Sequence, residues 1–191
     1  MTTLEGQFLV AMPDMADERF TDTVIYLFGH TSDGAMGLVV NQSLPEMNLG
    51  TVLDQIEVGD PDMVARLPDA VRERPVLRGG PVERARGFVV HTADYTSANT
   101  YSTTNGVGVT ATLDILEAMA FGPEPKSSLL ALGCCGWAAG QLDREILENT
   151  WLTLPYSSEI LFELPLEERY GAALATLRIT RASLSQEAGH A

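Results

Sequence analysis

Short apolar runs closed by turn residues alternate along this chain with a few stretches of helical spacing. Phe8-Leu9-Val10-Ala11, entered from Gly6-Gln7 and closed by Met12-Pro13-Asp14, has the pattern of a buried strand ending in a turn. Thr23 to Phe28 is β-branched and aromatic, and Ala35 to Val40 follows the turn-rich Thr31-Ser32-Asp33-Gly34, which predicts an antiparallel pair. From Leu44 to Arg74 the pattern breaks up. Prolines and acids there surround one helical candidate, marked by Leu49, Val52, Leu53 and Ile56. Val76-Leu77-Arg78 and Gly87 to His91 lie on either side of Gly79-Gly80-Pro81 and predict a second hairpin or neighbouring pair.

Tyr95 to Leu113 carries no charged side chain and is rich in Thr, Ser and Asn, which suits strands and turns, with a strand expected near Val107 to Thr110. A helix is predicted over Leu113 to Ala120, with Thr112 as N-cap, Asp114 at its positive end and Gly122-Pro123 as its stop. Leu129 to Cys134 reads as a buried strand. Gln141 to Asn149 reads as a helix with Leu142 and Ile146 on one face. A last helix is expected from Pro165, presenting Leu166, Tyr170, Ala173, Leu174 and Leu177 to a core. This mixture predicts an α+β fold in a single domain over residues 1–180, followed by a mobile small and polar tail over 181–191.

Composition narrows the function classes. The 191 residues are 45% apolar and 20% charged, ordinary for one globular domain that needs no disulfide or metal staple. A formal charge of −14 repels phosphate backbones, so direct DNA binding is disfavoured. The arginines between Arg66 and Arg86 alternate with Asp69, Glu73 and Glu83, as on a solvated mixed-charge face. Cys134 and Cys135 are adjacent, which closes no ordinary disulfide loop and offers no metal-ligand spacing. No metal and no cofactor are expected. Residues 1–7 lack a basic region followed by an apolar run, and Ser127 to Leu142 is too short for a membrane span. Together with the reduced cysteines, this predicts a cytoplasmic protein without membrane attachment.

Three features could carry chemistry. Gly133-Cys134-Cys135-Gly136 falls between an expected strand and helix, where a nucleophile can be exposed and a thiol activated, although the second glycine comes one residue too early for a nucleophile elbow. His30 and His91 end expected strands, and either could serve a cysteine as base. Gln141 and Glu145, one helical turn apart and close after Trp137, form an aromatic and polar face. That face suits a ligand or peptide, and it equally suits a helix packed under a loop with indole N–H groups to satisfy. Gly79-Gly80 lacks the Lys-Ser/Thr of a phosphate loop and reads as a tight turn.

Four motifs, in this order, resemble the AlgH/YqgE family of bacterial proteins: Gly6 to Pro13, Gly34-Ala35-Met36-Gly37-Leu38-Val39-Val40-Asn41, Gly79-Gly80-Pro81-Val82, and Gly136-Trp137 with Gly140-Gln141-Leu142 and Glu145-Ile146. The similarity runs from about Gly6 to Leu177. It implies an α+β fold whose bent, branching, partly barrel-like sheet, mixed or antiparallel, is packed with helices. Members are often labelled transcriptional regulators, and the family pattern carries no settled reaction. Cys134 and Cys135 replace the tyrosine and small residue usual before Gly136-Trp137, which argues against shared thiol chemistry. Tyr170 stands where tryptophan is common and Arg178 where glycine is common. The expectation is a non-catalytic binding or regulatory protein that engages a protein or small ligand through Asn41, Gly79, Gly80, His91, Trp137, Gln141 and Glu145. The alternative is an enzyme using His91 or Glu145 as acid or base, with Cys134 as nucleophile.

Overall fold

In the computed structural model, which describes residues 3–123 and 125–178, the chain forms two compact units: a first, made of the residues up to Asn41 together with those from Gly136 onward, and a second, Gln42–Cys135. The first segment builds three antiparallel strands, β1 (Phe8–Ala11), β2 (Val24–Thr31) and β3 (Gly34–Val39). Phe8 faces Tyr26 across β1–β2, and Ile25 faces Val39 across the predicted β2–β3 hairpin. Gly37 is needed in that hairpin because a Cβ there would lie 2.6 Å from the Ile25 side chain.

The second unit begins with β4 (Ser43–Asn48), whose end caps α1 (Leu49–Ile56). Asn48 and Thr51 exchange side-chain and backbone hydrogen bonds in a capping box, so the predicted helix starts where its apolar spacing starts. Two short helices follow, α2 (Pro61–Ala65), with Pro61 at its first position, and α3 (Asp69–Arg72). Next come β5 (Pro75–Arg78), β6 (Val82–His91), β7 (Thr100–Ser102), β8 (Gly108–Thr110), α4 (Leu113–Phe121) and β9 (Ser128–Ala138). The expected pairing of β5 with β6 is not what forms. β9 pairs with both, parallel to β5 and antiparallel to β6, because its uncharged residues Leu129 to Leu132 suit a strand with a neighbour on each side. The sheet is therefore mixed, one of the two forms, mixed or antiparallel, that the resemblance implied. Leu49, Leu53, Val76, Val89, Ile115 and Leu130 lie in this unit's core cluster.

β9 continues past Cys134 to Ala138, so Gly133-Cys134-Cys135-Gly136 lies inside a strand and not at a strand-to-helix elbow. Gly133 makes this possible by adopting φ +75, which a residue with a side chain rarely does. The first unit is then completed by α5 (Gln141–Leu147), β10 (Trp151–Leu154), a π-helical turn (Glu159–Glu163) and α6 (Leu166–Thr176). β10 pairs with β1, with Phe8 opposite Leu154. Pro165 caps α6, whose Tyr170, Ala173 and Leu174 are buried as its spacing predicts. Arg169 is buried too; its Nε and Nη1 donate to the Leu164 and Val40 carbonyls, and burial lowers its pKa to about 10. The expected tail over 181–191 lies outside the described residues. Among those described, no helix is long and apolar enough to cross a membrane.

Candidate functional site

Of the residues singled out in the sequence, Trp137, Gln141 and Glu145 come together in the first unit. Gly140 adopts φ +67 and turns the chain from β9 into α5. Gln141 and Glu145 then project from the same face one turn apart. The Ala138 N–H donates to Gln141 Oε1 (3.0 Å), and Gln141 Nε2 donates to Glu145 Oε1 (2.8 Å). Glu145 Oε2 accepts from the Trp137 indole (2.9 Å) and from the Trp151 indole (2.8 Å). The two indoles meet edge to face at 6.2 Å. One half-buried carboxylate thus gathers three side-chain donors from β9, α5 and β10.

Asn41, in the same unit, has a separate set of partners. Its Oδ1 accepts from the Val24 N–H and its Nδ2 donates to the Asp22 carbonyl, both at 2.8 Å, which fastens the start of β2. In the second unit, Gly79 and Gly80 lie against the backbone of β9. A Cβ would come within 2.2 Å of the Gly133 carbonyl oxygen at Gly79, and of the Cys134 carbonyl at Gly80. Both cysteines are free thiols and buried. The Cys135 thiol donates to the Gly79 carbonyl at 3.5 Å. Burial, and secondarily the charge of Glu83, raises the pKa of Cys134, the opposite of nucleophile activation.

His91, also in the second unit, is fully buried. Its Nδ1 lies 2.9 Å from the Thr92 carbonyl, which can only accept, so Nδ1 carries the proton. Nε2 is then the acceptor for Thr110 Oγ1 (2.9 Å), which in turn lies 2.8 Å from Thr100 Oγ1. Burial lowers the imidazole pKa, in keeping with this neutral tautomer. In the first unit, His30 Nδ1 accepts from the Leu4 N–H (3.0 Å), and its Nε2 faces Asp143 at 3.7 Å. Each ring nitrogen of both histidines therefore faces a protein partner. Among the described residues there is no group of three His, Cys, Asp or Glu that could hold a metal ion.

The second unit also contains an apolar groove of about 150 Å³. Its walls are Val52 and Ile56 of α1, Leu113 and Leu116 of α4, and Leu130 and Leu132 of β9. Ala85, Gly87 and Val89 line it from β6 at alternate positions, as one face of a strand must. Ile56 (39% exposed) and Leu113 (57%) are lining residues that also stand open to solvent. The hydroxyl of Thr110, another lining residue, is engaged by His91 and Thr100, and that of Thr112 by Asp114. The groove consequently offers hydrocarbon and little else. No chemical motif marked it in the sequence. The available signals were the α1 spacing and the small residues at 85 and 87 alternating with arginines.

The order of elements and these motifs define an α+β protein of the AlgH type. The AlgH-like family pattern matches residues 8–182, and the chain belongs to that family. A UPF0301 protein of Mesorhizobium japonicum is 46% identical over 188 residues, covering 98% of this chain and 93% of the relative. A UPF0301 protein of Rhizobium meliloti is 44% identical with the same coverage. The solution structure of the AlgH protein from Pseudomonas aeruginosa matches with a TM-score of 0.77 and 41% identity, over 100% of this chain and 97% of that one. A Corynebacterium diphtheriae protein shares the fold, with a TM-score of 0.66 at 21% identity over 92% of this chain and 88% of the other.

Proposed function

We propose that the chain is a non-catalytic binding protein whose binding site is the apolar groove of the second unit, and that any regulatory role is exerted through protein contact. The observation that carries this reading is the groove itself, with its hydrocarbon lining and the exposed Ile56 and Leu113. Its volume of about 150 Å³ is enough for one small hydrocarbon group. The groups that an enzyme would need support the same reading. A general base requires a lone pair within about 3 Å of a substrate proton. The acceptor nitrogen of His91 is already used by Thr110, Glu145 is held by three donors, and Cys134 is buried and deactivated. On this reading Asn41, Gly79, Gly80, Trp137, Gln141 and Glu145 form the scaffold, and the groove forms the contact.

The test is a methyl-NMR titration of the full chain with benzene as probe. The Val52, Val89 and Leu130 methyl signals are expected to shift together and to saturate. The reading fails if they stay unmoved while benzene remains in excess.

A further inference from the structure

Arg169 carries a charge that its protein surroundings do not use. It lies near the start of α6 and is only 3% exposed, and a guanidinium brings five N–H donors to whatever holds it. Two of them are engaged: the Nε–H by the Leu164 carbonyl at 3.0 Å, and one N–H of Nη1 by the Val40 carbonyl at 2.7 Å. The second N–H of Nη1 and both on Nη2 have no partner among the described residues. Nη2 is nevertheless not sealed in. Among those residues, the only side-chain nitrogen or oxygen that is both fully buried and without a hydrogen bond is Ser128 Oγ. The free end of the guanidinium therefore reaches a narrow opening at the surface.

A clamp for two carbonyls does not call for a cation. A neutral side-chain amide offers two N–H donors at a far lower desolvation cost, whereas a buried charge is normally matched by an opposite one. The chain has 26 acidic residues, yet none forms an ion pair with Arg169 among the described residues. Burial is what lowers its pKa; a carboxylate within reach would push it the other way. At about 10, that pKa still leaves the group charged at neutral pH. The start of α6 adds to the same field. Its N-cap, Pro165, makes no side-chain hydrogen bond to the first turn, and the guanidinium folds back onto Leu164 beside this positive end of the helix dipole. The acids of that turn, Glu167 and Glu168, are exposed and leave Arg169 unpaired.

A recessed, unmatched cation beside a positive helix end is a seat for an anion. The remaining N–H groups of Nη1 and Nη2 form a planar fork, which fits the two oxygens of a carboxylate. A phosphate brings up to two negative charges and is repelled more strongly by a chain of formal charge −14. The narrow opening admits only a small group. We infer that Arg169 anchors a binding site in the first unit for a small carboxylate anion. This site does not depend on the groove of the second unit.

The experiment titrates the full chain with sodium acetate, with sodium chloride as the matched salt and sodium phosphate as the competing oxyanion. Binding is read from the proton–nitrogen NMR signal of the Arg169 Nε–H and from the backbone amide signals of Val40 and Asn41. With acetate these are expected to shift together and to saturate, with a half-point of about 1–10 mM, a range open to a ligand of so few atoms. Chloride should leave them unmoved, and phosphate should bind more weakly than acetate. Arg169→Lys keeps the charge but loses the fork, and should weaken acetate binding at least about tenfold. Acetate should also raise the Tm of the unaltered chain and not that of Arg169→Lys. An Arg169 signal that stays unmoved at about 100 mM acetate overturns the site, whether or not the variant folds. Equal shifts with chloride overturn it as well, since screening alone would produce them. Phosphate binding as tight as that of acetate overturns the carboxylate assignment, and an undiminished acetate response in Arg169→Lys overturns the role of Arg169.

Discussion

Replacing Glu145 with alanine is the sharpest perturbation of the scaffold. The substitution removes the acceptor for two indole N–H groups, on Trp137 (8% exposed) and Trp151 (4% exposed), and for the Gln141 amide. Leaving a buried donor without its acceptor costs about 1–3 kcal/mol. The amide is half-buried and can turn to water, so the two indoles dominate, for a total of roughly 3 kcal/mol. In a chain of this length that corresponds to a fall in Tm of about 6–12 °C. Glu145→Gln keeps one acceptor oxygen for the indoles but sets an amide donor against the Gln141 donor, so it should cost about 1 kcal/mol. Trp137 and Trp151 are the only tryptophans, so emission from the folded chain reports directly on this node. A double-mutant cycle of Glu145→Ala with Trp151→Phe isolates the shared bond and should give a coupling of roughly 1–2 kcal/mol. Additive losses in that cycle, with tryptophan emission unchanged in Glu145→Ala, would refute the reasoning.

Two glycines of the second unit should respond in opposite ways. Gly79→Ala drives a Cβ to within 2.2 Å of the Gly133 carbonyl oxygen and should cost about 2–3 kcal/mol, whereas Gly87→Ala has room and should gain up to about 1 kcal/mol; urea denaturation of each distinguishes these outcomes. Burial depresses the His91 pKa, so its contribution is complete above the unfolded value of about 6.5 and is lost as pH falls through the lower folded value. The fall in unfolding free energy between pH 7 and about 5 should therefore flatten in His91→Gln, and an unchanged slope there would contradict the assignment. Cys134 and Cys135 are both buried, so iodoacetamide should alkylate the native chain at least about tenfold more slowly than the denatured one, as read by mass spectrometry.

Local pattern carried much of this architecture. The β2–β3 pair, α1 and α6 follow from β-branched runs, a turn-rich linker and apolar residues spaced for a helix. β4 escaped because Pro45 interrupts it and it pairs only with β5, leaving little alternation to read. β9 looked as though it ended at Cys134 because Gly133 and Gly136 resemble punctuation; its continuation depends on a left-handed glycine that spacing does not reveal. The placement of β9 between β5 and β6 is a choice among distant partners, which no local pattern encodes. At the candidate site, the sequence pointed to Trp137, Gln141 and Glu145 as polar and aromatic neighbours, and they do converge. That both indoles donate to the same carboxylate oxygen depends on β10, which was not foreseen. The groove was least legible, since its floor is made of small residues and a missing side chain gives no signal.

The division of the chain at Asn41 and Gly136 also bears on how the protein is made. Gln42–Cys135 is one continuous stretch, whereas the other unit is split around it. β1 cannot acquire its β10 neighbour until synthesis has passed Leu154, and the Ala11 and Val40 carbonyls cannot acquire Tyr170 and Arg169 until it has passed Tyr170. On the ribosome, β1 to β3 therefore wait with an unpaired edge while the inserted stretch is free to fold. The lone hairpin strands, rather than the groove, are then the part of the nascent chain most in need of protection from pairing with another copy.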